Sequence, residues 1–195
     1  MDQDVAAYVL AGGKSSRMGS DKAFLEMKGR TLLARALDLV RGITPDVHIV
    51  GPQEKFELFG PTLEDTYRDR GPLGGIHAAL SHSTKDLNLV LAVDLPQVEA
   101  GFLQYLVAKA RTDDAVVTLP RAGGGWQPLC AVYRPSFLEY ADRALQGGHN
   151  KIDVLFSDIS LCIVDESDLN AGGFSATMFH NLNTPAEFQA AKGNW

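Results

Sequence analysis

A chain of 195 residues with 45% hydrophobic and 22% charged residues is long enough to bury a continuous core and to cover a sheet on both faces, which argues against disorder. Its formal net charge of -6 argues against a non-specific nucleic-acid binder, which needs a basic face. No apolar run approaches the ~20 residues of a transmembrane helix, and the N-terminal MDQD lacks the basic and apolar regions of a secretory signal. The expectation is therefore one cytoplasmic domain spanning 1–195, with neither nucleic acid nor membrane as a partner. Cys130 and Cys162 lie in apolar runs without metal-ligand spacing and read as buried, reduced thiols.

Residues 5–11 read as a strand buried on both faces, ending at Ala11, Gly12 and Gly13. A basic, hydroxyl-bearing loop of Lys14, Ser15, Ser16, Arg17 and Lys22 follows. Residues 24–27 form a short extended piece closed by Lys28-Gly29, and Thr31 is the expected N-cap of a helix running to Val40 and ended by Gly42. A strand over 47–50, a helical piece near 54–59 and an extended 62–64 come next. Residues 65–75 read as a glycine-rich loop before a helix at 76–81. A second fully buried strand, 87–93, ends on Asp94-Leu95-Pro96. A helix at 101–111, strands at 115–119 and 129–133 around a glycine-rich loop at 121–125, and helices at 135–145 and 151–156 follow. A strand at 160–164 and a terminal helix from Ala186 complete the chain. Alternation of this kind predicts a three-layer, Rossmann-like α/β domain with a mostly parallel central sheet, whose ligands sit at the carboxyl ends of the strands.

Two groups fall on that edge. Gly12 and Gly13 let the chain turn tightly and bring N–H groups close to a ligand. Arg17 and the lysines would add charge-assisted hydrogen bonds to phosphate. Neither familiar phosphate loop is present: Tyr8 stands where a Walker A loop needs its first glycine, and Ala11-Gly12-Gly13 does not begin a dinucleotide fingerprint. Asp94 closes an apolar strand, where it either binds a hard cation such as Mg2+ or caps the next helix; the phosphate loop on the same edge favours the metal. Asp65 either accepts hydrogen bonds from a base edge or sugar hydroxyl, or forms a turn with Thr66. The histidines show no zinc-like spacing, no G-x-S-x-G elbow is present, and the loop at 121–125 is either a lid or simply flexible.

The blocks Leu10-Ala11-Gly12-Gly13-Lys14-Ser15-Ser16-Arg17-Met18-Gly19 with Asp21-Lys22, Gly71-Pro72-Leu73-Gly74-Gly75-Ile76, Asp94-Leu95-Pro96 and Asn181-Leu182-Asn183-Thr184-Pro185 resemble those of the molybdenum cofactor guanylyltransferases, the MobA family. The resemblance implies a nucleotidyltransferase that moves GMP from MgGTP onto molybdopterin and releases pyrophosphate. It implies Leu10, Ala11, Gly12 and Gly13 at the guanine nucleotide, Lys22 on its phosphates, Asp65 on the nucleoside, and Asp94 on nucleotide and Mg2+. It also implies that Arg17 steadies the triphosphate, with Arg17, Lys22 and Asp94 as the catalytic group, and that Asn181 and Asn183 lie near the pterin. GTP and molybdopterin are the expected ligands, and molybdoenzymes or their chaperones further partners.

Two positions depart from the family pattern: Gly51 replaces a frequent Asn, and Val93 a frequent Cys. Related cytidylyltransferases tend to read Leu-Ala-Ala-Gly, whereas Gly12 leaves space beside a larger guanine. A sugar-1-phosphate nucleotidyltransferase would need more chain, and the retained Asp94 and Lys22 speak against a non-catalytic GTP-binding module.

Overall fold

The computed structural model describes residues 3–12, 21–67, 69–182 and 187. Strand β1 (Val5–Leu10) is buried at every position, as expected of a strand covered on both faces. Asp21 caps a 3-10 turn, Lys22–Phe24, and a hairpin of β2 (Glu26–Met27) and β3 (Arg30–Thr31) follows. Thr31 then caps α1 (Leu32–Arg41), its Oγ1 accepting the Ala34 N–H at 3.1 Å. The chain continues through β4 (Val47–Val50), α2 (Gln53–Phe56), β5 (Thr62–Leu63), α3 (Pro72–His82), β6 (Leu87–Ala92) and α4 (Ala100–Arg111). Next come β7 (Val117–Ala122), β8 (Gly125–Trp126), β9 (Cys130–Tyr133), α5 (Phe137–Gln146), β10 (Leu161–Val164) and α6 (Glu166–Ala171).

The main sheet has the order β10-β7-β9-β6-β1-β4-β5, with β8 paired to β7. Strands β5, β4, β1 and β6 are mutually parallel, and β7 and β10 are parallel to each other. Only β9, among the strands of the described residues, runs against both its neighbours, β6 and β7. The chain first builds outward from β1 through β4 to β5, then returns to lay β6 on the other side of β1. That reversal opens a crevice at the carboxyl ends of β1 and β6, where ligands of open α/β sheets bind.

Alternate residues of β1 supply two cores. Val5, Ala7 and Val9 pack with Leu33, Leu37 and Val40 of α1 and Phe102, Leu106 and Ala110 of α4. Ala6, Tyr8 and Leu10 pack with Leu73, Ile76 and Leu80 of α3 and Phe137, Ala141 and Leu145 of α5. The sheet is thus the middle of three layers, as its period-two burial requires.

Four expectations change. Helix α3 begins at Pro72, so Gly74 and Gly75 belong to its first turns and not to a loop. Strand β7 runs on to Ala122 and turns at Gly123 and Gly124, at φ 62 and 76, into β8. Helix α6 is additional; Asp165 and Asp168 form a reciprocal capping box at its start. A second 3-10 turn, Asp153–Ser157, stands where a short helix is expected. Of the terminal helix expected from Ala186, only Glu187, which is helical, lies among the described residues. Cys130 is buried, Cys162 is only partly so, and both are free thiols.

Candidate active site

The site begins where β1 and β6 end in register. Leu10 pairs with Ala92, and the Val93 N–H donates to the Leu10 carbonyl at 3.2 Å. On the other side β4 ends level with β1, and the Val50 carbonyl accepts both the Ala11 and Gly12 N–H groups, each at 3.0 Å. Those two donors therefore extend the sheet, and the Gly13 N–H, the other donor expected of the turn, lies outside the described residues. Gly12 also has a packing reason: a Cβ there would stand 3.3 Å from Gly51 Cα and 3.6 Å from the Val50 carbonyl oxygen. The departure at Gly51 has its own cause. A side chain at that position would meet the buried Phe56 ring at 2.8 Å and the Gly12 nitrogen at 3.1 Å.

Asp94 follows β6 immediately. Its carboxylate caps no helix, because α4 begins beyond Glu99. Instead Oδ2 accepts from Lys22 Nζ at 3.2 Å, with both side chains 19% exposed. The 3-10 turn capped by Asp21 fixes the backbone of Lys22, and Lys55 holds the other Asp21 oxygen at 3.2 Å. Asp94 Oδ1 is buried and has no hydrogen-bond partner among the described residues. The Asp94 carbonyl accepts the Leu182 N–H at 3.1 Å, which seats exposed Asn181 beside the same turn.

The third wall is the start of α3. Gly71 takes φ 67, open to glycine at little cost, and Pro72 opens the helix. A Cβ on Gly75 would stand 3.3 Å from Leu10 Cδ2, so the helix rides close on the end of β1. A Cβ on Gly74 would stand 2.8 Å from Asp65 Oδ1 and 2.9 Å from its Cγ. Asp65 therefore lies in the gap that Gly74 leaves. It does form a local turn, Oδ1 accepting the Tyr67 N–H at 2.8 Å, while its second oxygen faces the same gap. Desolvation raises its carboxyl above the ordinary carboxylate range, outweighing that hydrogen bond and the nearby His77.

Of the expected site residues, Leu10, Ala11, Gly12, Lys22, Asp94 and Asn181 gather along the ends of β1 and β6, and Asp65 joins them through α3. Gly13, Arg17 and Asn183 lie outside the described residues. Sequence reasoning passed over Tyr67, His77 and Asp142, which the structure links to Asp65; no spacing could signal a contact spanning 75 residues. Among the described residues no three His, Cys, Asp or Glu groups form a metal cage, and no helix is long and apolar enough to cross a membrane.

A paired lysine and aspartate at the switch point of a mostly parallel sheet, beside a glycine-lined helix start, define an α/β domain of the kind that holds a phosphorylated ligand at its strand ends. The chain belongs to the MobA-like NTP transferase domain family, whose profile matches residues 7–157. It is 31% identical over 183 residues to the molybdenum cofactor guanylyltransferase of Vibrio campbellii, covering 92% of this chain and 90% of that one. It is 30% identical over 191 residues to the enzyme of the same name from Desulfosudis oleivorans, covering 96% and 94%. The crystal structure of molybdopterin-guanine dinucleotide biosynthesis protein A from Archaeoglobus fulgidus shares the fold, with a TM-score of 0.84, 97% coverage of each chain and 23% identity.

Proposed function

We propose that this protein is a molybdenum cofactor guanylyltransferase, taking MgGTP and Mo-molybdopterin to molybdopterin guanine dinucleotide and pyrophosphate. The observation that carries the reading is the Lys22–Asp94 pair, 3.2 Å apart at the ends of 3-10 turn and strand, with one carboxylate oxygen buried and unpartnered. The substrates follow from the names of relatives that align over more than nine-tenths of the chain.

The reaction needs little from side chains. A phosphate oxygen of molybdopterin attacks the α-phosphorus of GTP; the bond from that phosphorus to the bridging oxygen breaks, and pyrophosphate leaves with the electron pair. The nucleophile is already anionic, so positioning and charge neutralisation suffice. Lys22 would bind nucleotide phosphate and offset charge that builds on the leaving pyrophosphate. Arg17 would steady the triphosphate from the basic loop. Guanine presents N–H donors, and acceptors near the end of β1 match them: the Asp65 carboxylate and the main-chain carbonyls of Ala11 and Gly12, the Leu10 carbonyl being taken by the Val93 N–H. Asn181 and Asn183 would face the pterin.

Mg2+ fits the residues present. A hard cation held by one or two carboxylates plus substrate phosphates needs no protein cage, and the orphaned Asp94 Oδ1 is a ligand of the right kind. When bound with GTP, the ion would supply further neutralisation of the triphosphate. Pyrophosphate release, measured with Mg2+, molybdopterin and either GTP or CTP, tests the reading. Turnover with GTP that falls at least about 100-fold in a folded Asp94→Ala variant is expected for loss of an electrostatic catalyst. Unchanged turnover, or a preference for CTP, would overturn it. Lys22→Ala should weaken GTP binding more than it lowers the melting temperature.

A further inference from the structure

A chain of tertiary contacts reaches Asp65 from the far helix of its layer. The Tyr67 N–H holds Asp65 Oδ1 at 2.8 Å, and the Tyr67 hydroxyl donates to Asp142 Oδ1 on α5, also at 2.8 Å. The Tyr67 ring meets His77 of α3 edge-on, with centroids 4.9 Å apart and planes at 87°. His77 is 8% exposed, and its Nε2 stands 3.5 Å from the same Asp142 oxygen. Gln146, one turn further along α5, donates to the other Asp142 oxygen at 2.8 Å. Tyr67 is thus fixed at its backbone by Asp65, at its ring by α3 and at its hydroxyl by α5.

We propose that Tyr67, Asp142 and His77 are positioning residues for nucleoside recognition, holding the connection between β5 and α3 so that the Asp65 carboxylate is pre-organised for the ligand. This rests on the reading of Asp65 as a nucleoside contact. The physical case is that Asp65 lies between a two-residue edge strand and a helix start, where its own element offers little restraint. Its carboxylate is held by one amide and by the space over Gly74. The amide belongs to Tyr67, whose remaining atoms are anchored on two helices that pack against each other. Fixing a recognition group before the ligand arrives removes an ordering cost that binding would otherwise bear. Hydrogen bonding to Asp142 also raises the Tyr67 hydroxyl above the ordinary phenol range. Desolvation, the largest influence on the Asp65 carboxyl, fits a group packed over Gly74 and not turned to water.

The test uses the full chain with Mg2+ and compares Tyr67→Phe, Asp142→Ala and Asp142→Asn with Asp65→Ala. The dissociation constants of GTP and of inorganic tripolyphosphate are measured by calorimetry, with KM and kcat from pyrophosphate release and melting temperatures from circular dichroism. Tyr67→Phe keeps the ring against His77 and removes only the hydroxyl. Tyr67→Phe and Asp142→Ala should each weaken GTP roughly three- to tenfold and raise KM alike, as expected for one less-ordered side chain. Tripolyphosphate affinity and kcat should stay within about twofold, since Lys22 and Asp94 are untouched. Asp142→Asn, which keeps an acceptor oxygen, should recover most of the loss. A general structural effect would instead lower both affinities together with the melting temperature, and would overturn the proposal. GTP affinity unchanged in Tyr67→Phe and Asp142→Ala but lost in Asp65→Ala would overturn it while leaving the Asp65 reading intact. GTP affinity unchanged in Asp65→Ala would remove that reading and the proposal with it.

Discussion

Replacing Gly74 by alanine sets two effects of similar size against each other. In an unencumbered helix the change would stabilise by up to about 1 kcal/mol, the propensity difference between the two residues. Here the new Cβ would lie 2.8 Å from Asp65 Oδ1 and 2.9 Å from Cγ, inside any ordinary contact distance, so the carboxylate must leave. Its departure breaks the 2.8 Å bond from the Tyr67 N–H; a hydrogen bond to a charged group contributes about 1.5–3 kcal/mol, and partial exposure places this one at the lower end. The expected net is a loss of about 0.5 kcal/mol on these two figures. In an Asp65→Ala background nothing remains to be displaced, and Gly74→Ala should then stabilise by about 1 kcal/mol. The substitution reverses sign, giving a coupling on the order of 1.5 kcal/mol, within the range for residues in contact. Urea unfolding of the four proteins, followed by far-ultraviolet circular dichroism and fitted with a common slope, measures it. Additivity within about 0.5 kcal/mol would refute the claim that Gly74 exists to admit Asp65.

Gly51→Ala should destabilise by about 1–3 kcal/mol through overpacking, because its Cβ would meet the Phe56 ring at 2.8 Å and the Gly12 nitrogen at 3.1 Å. In a protein of this size that lowers the melting temperature by roughly 2–4 °C per kcal/mol; a calorimetric scan showing no change would mean that Phe56 yields freely. Asp65→Asn should alter the pH dependence of stability. Burial raises the Asp65 carboxyl above its ordinary 3.8, so the folded state binds that proton more tightly than the unfolded chain does. The associated stability is full below the unfolded value and is lost as pH rises through the folded one. The advantage of Asp65→Asn over the parent should therefore grow as pH rises from below the unfolded value through the raised folded one, and then level off. A constant difference in unfolding free energy across that range would count against the raised value.

Local rules read much of this fold correctly. The run at β1, the cap at Thr31 and the spacing of Leu33, Leu37 and Val40 in α1 each carry their own instruction, and the structure follows them. The placement of Lys22 near Asp94, 72 residues away, was legible only as a coincidence of strand ends. The reversed strand β9 was not legible, because its direction is set by the hairpin turn at Gly123 and Gly124 between β7 and β8, and its apolar run looks like any buried strand. Helix α6 is too short for a periodic signal, and only its paired aspartates announce it.

Glycine explains the largest misreading. Gly71, Gly123 and Gly124 have positive φ, and turn chemistry finds such residues from sequence because the cause is local. Gly12, Gly51, Gly74 and Gly75 are different: a neighbouring side chain occupies the place of the Cβ at Gly51 and Gly74, and a neighbour stands tightly against it, at 3.3 Å, at Gly12 and Gly75. That cause is tertiary, so the sequence displays the same letter with no hint of which reason applies, and a helix start was taken for a loop. The distinction bears on function, since all four lie around the ends of β1, β4 and α3, where the site forms. Close approach there brings the end of β1 against the end of β4 and against the start of α3, where Asp65 packs. Alanine at positions of the second kind should accordingly couple to its neighbours, as the Gly74 and Asp65 cycle tests. Alanine at an exposed positive-φ glycine such as Gly124 should act alone, through its own backbone strain.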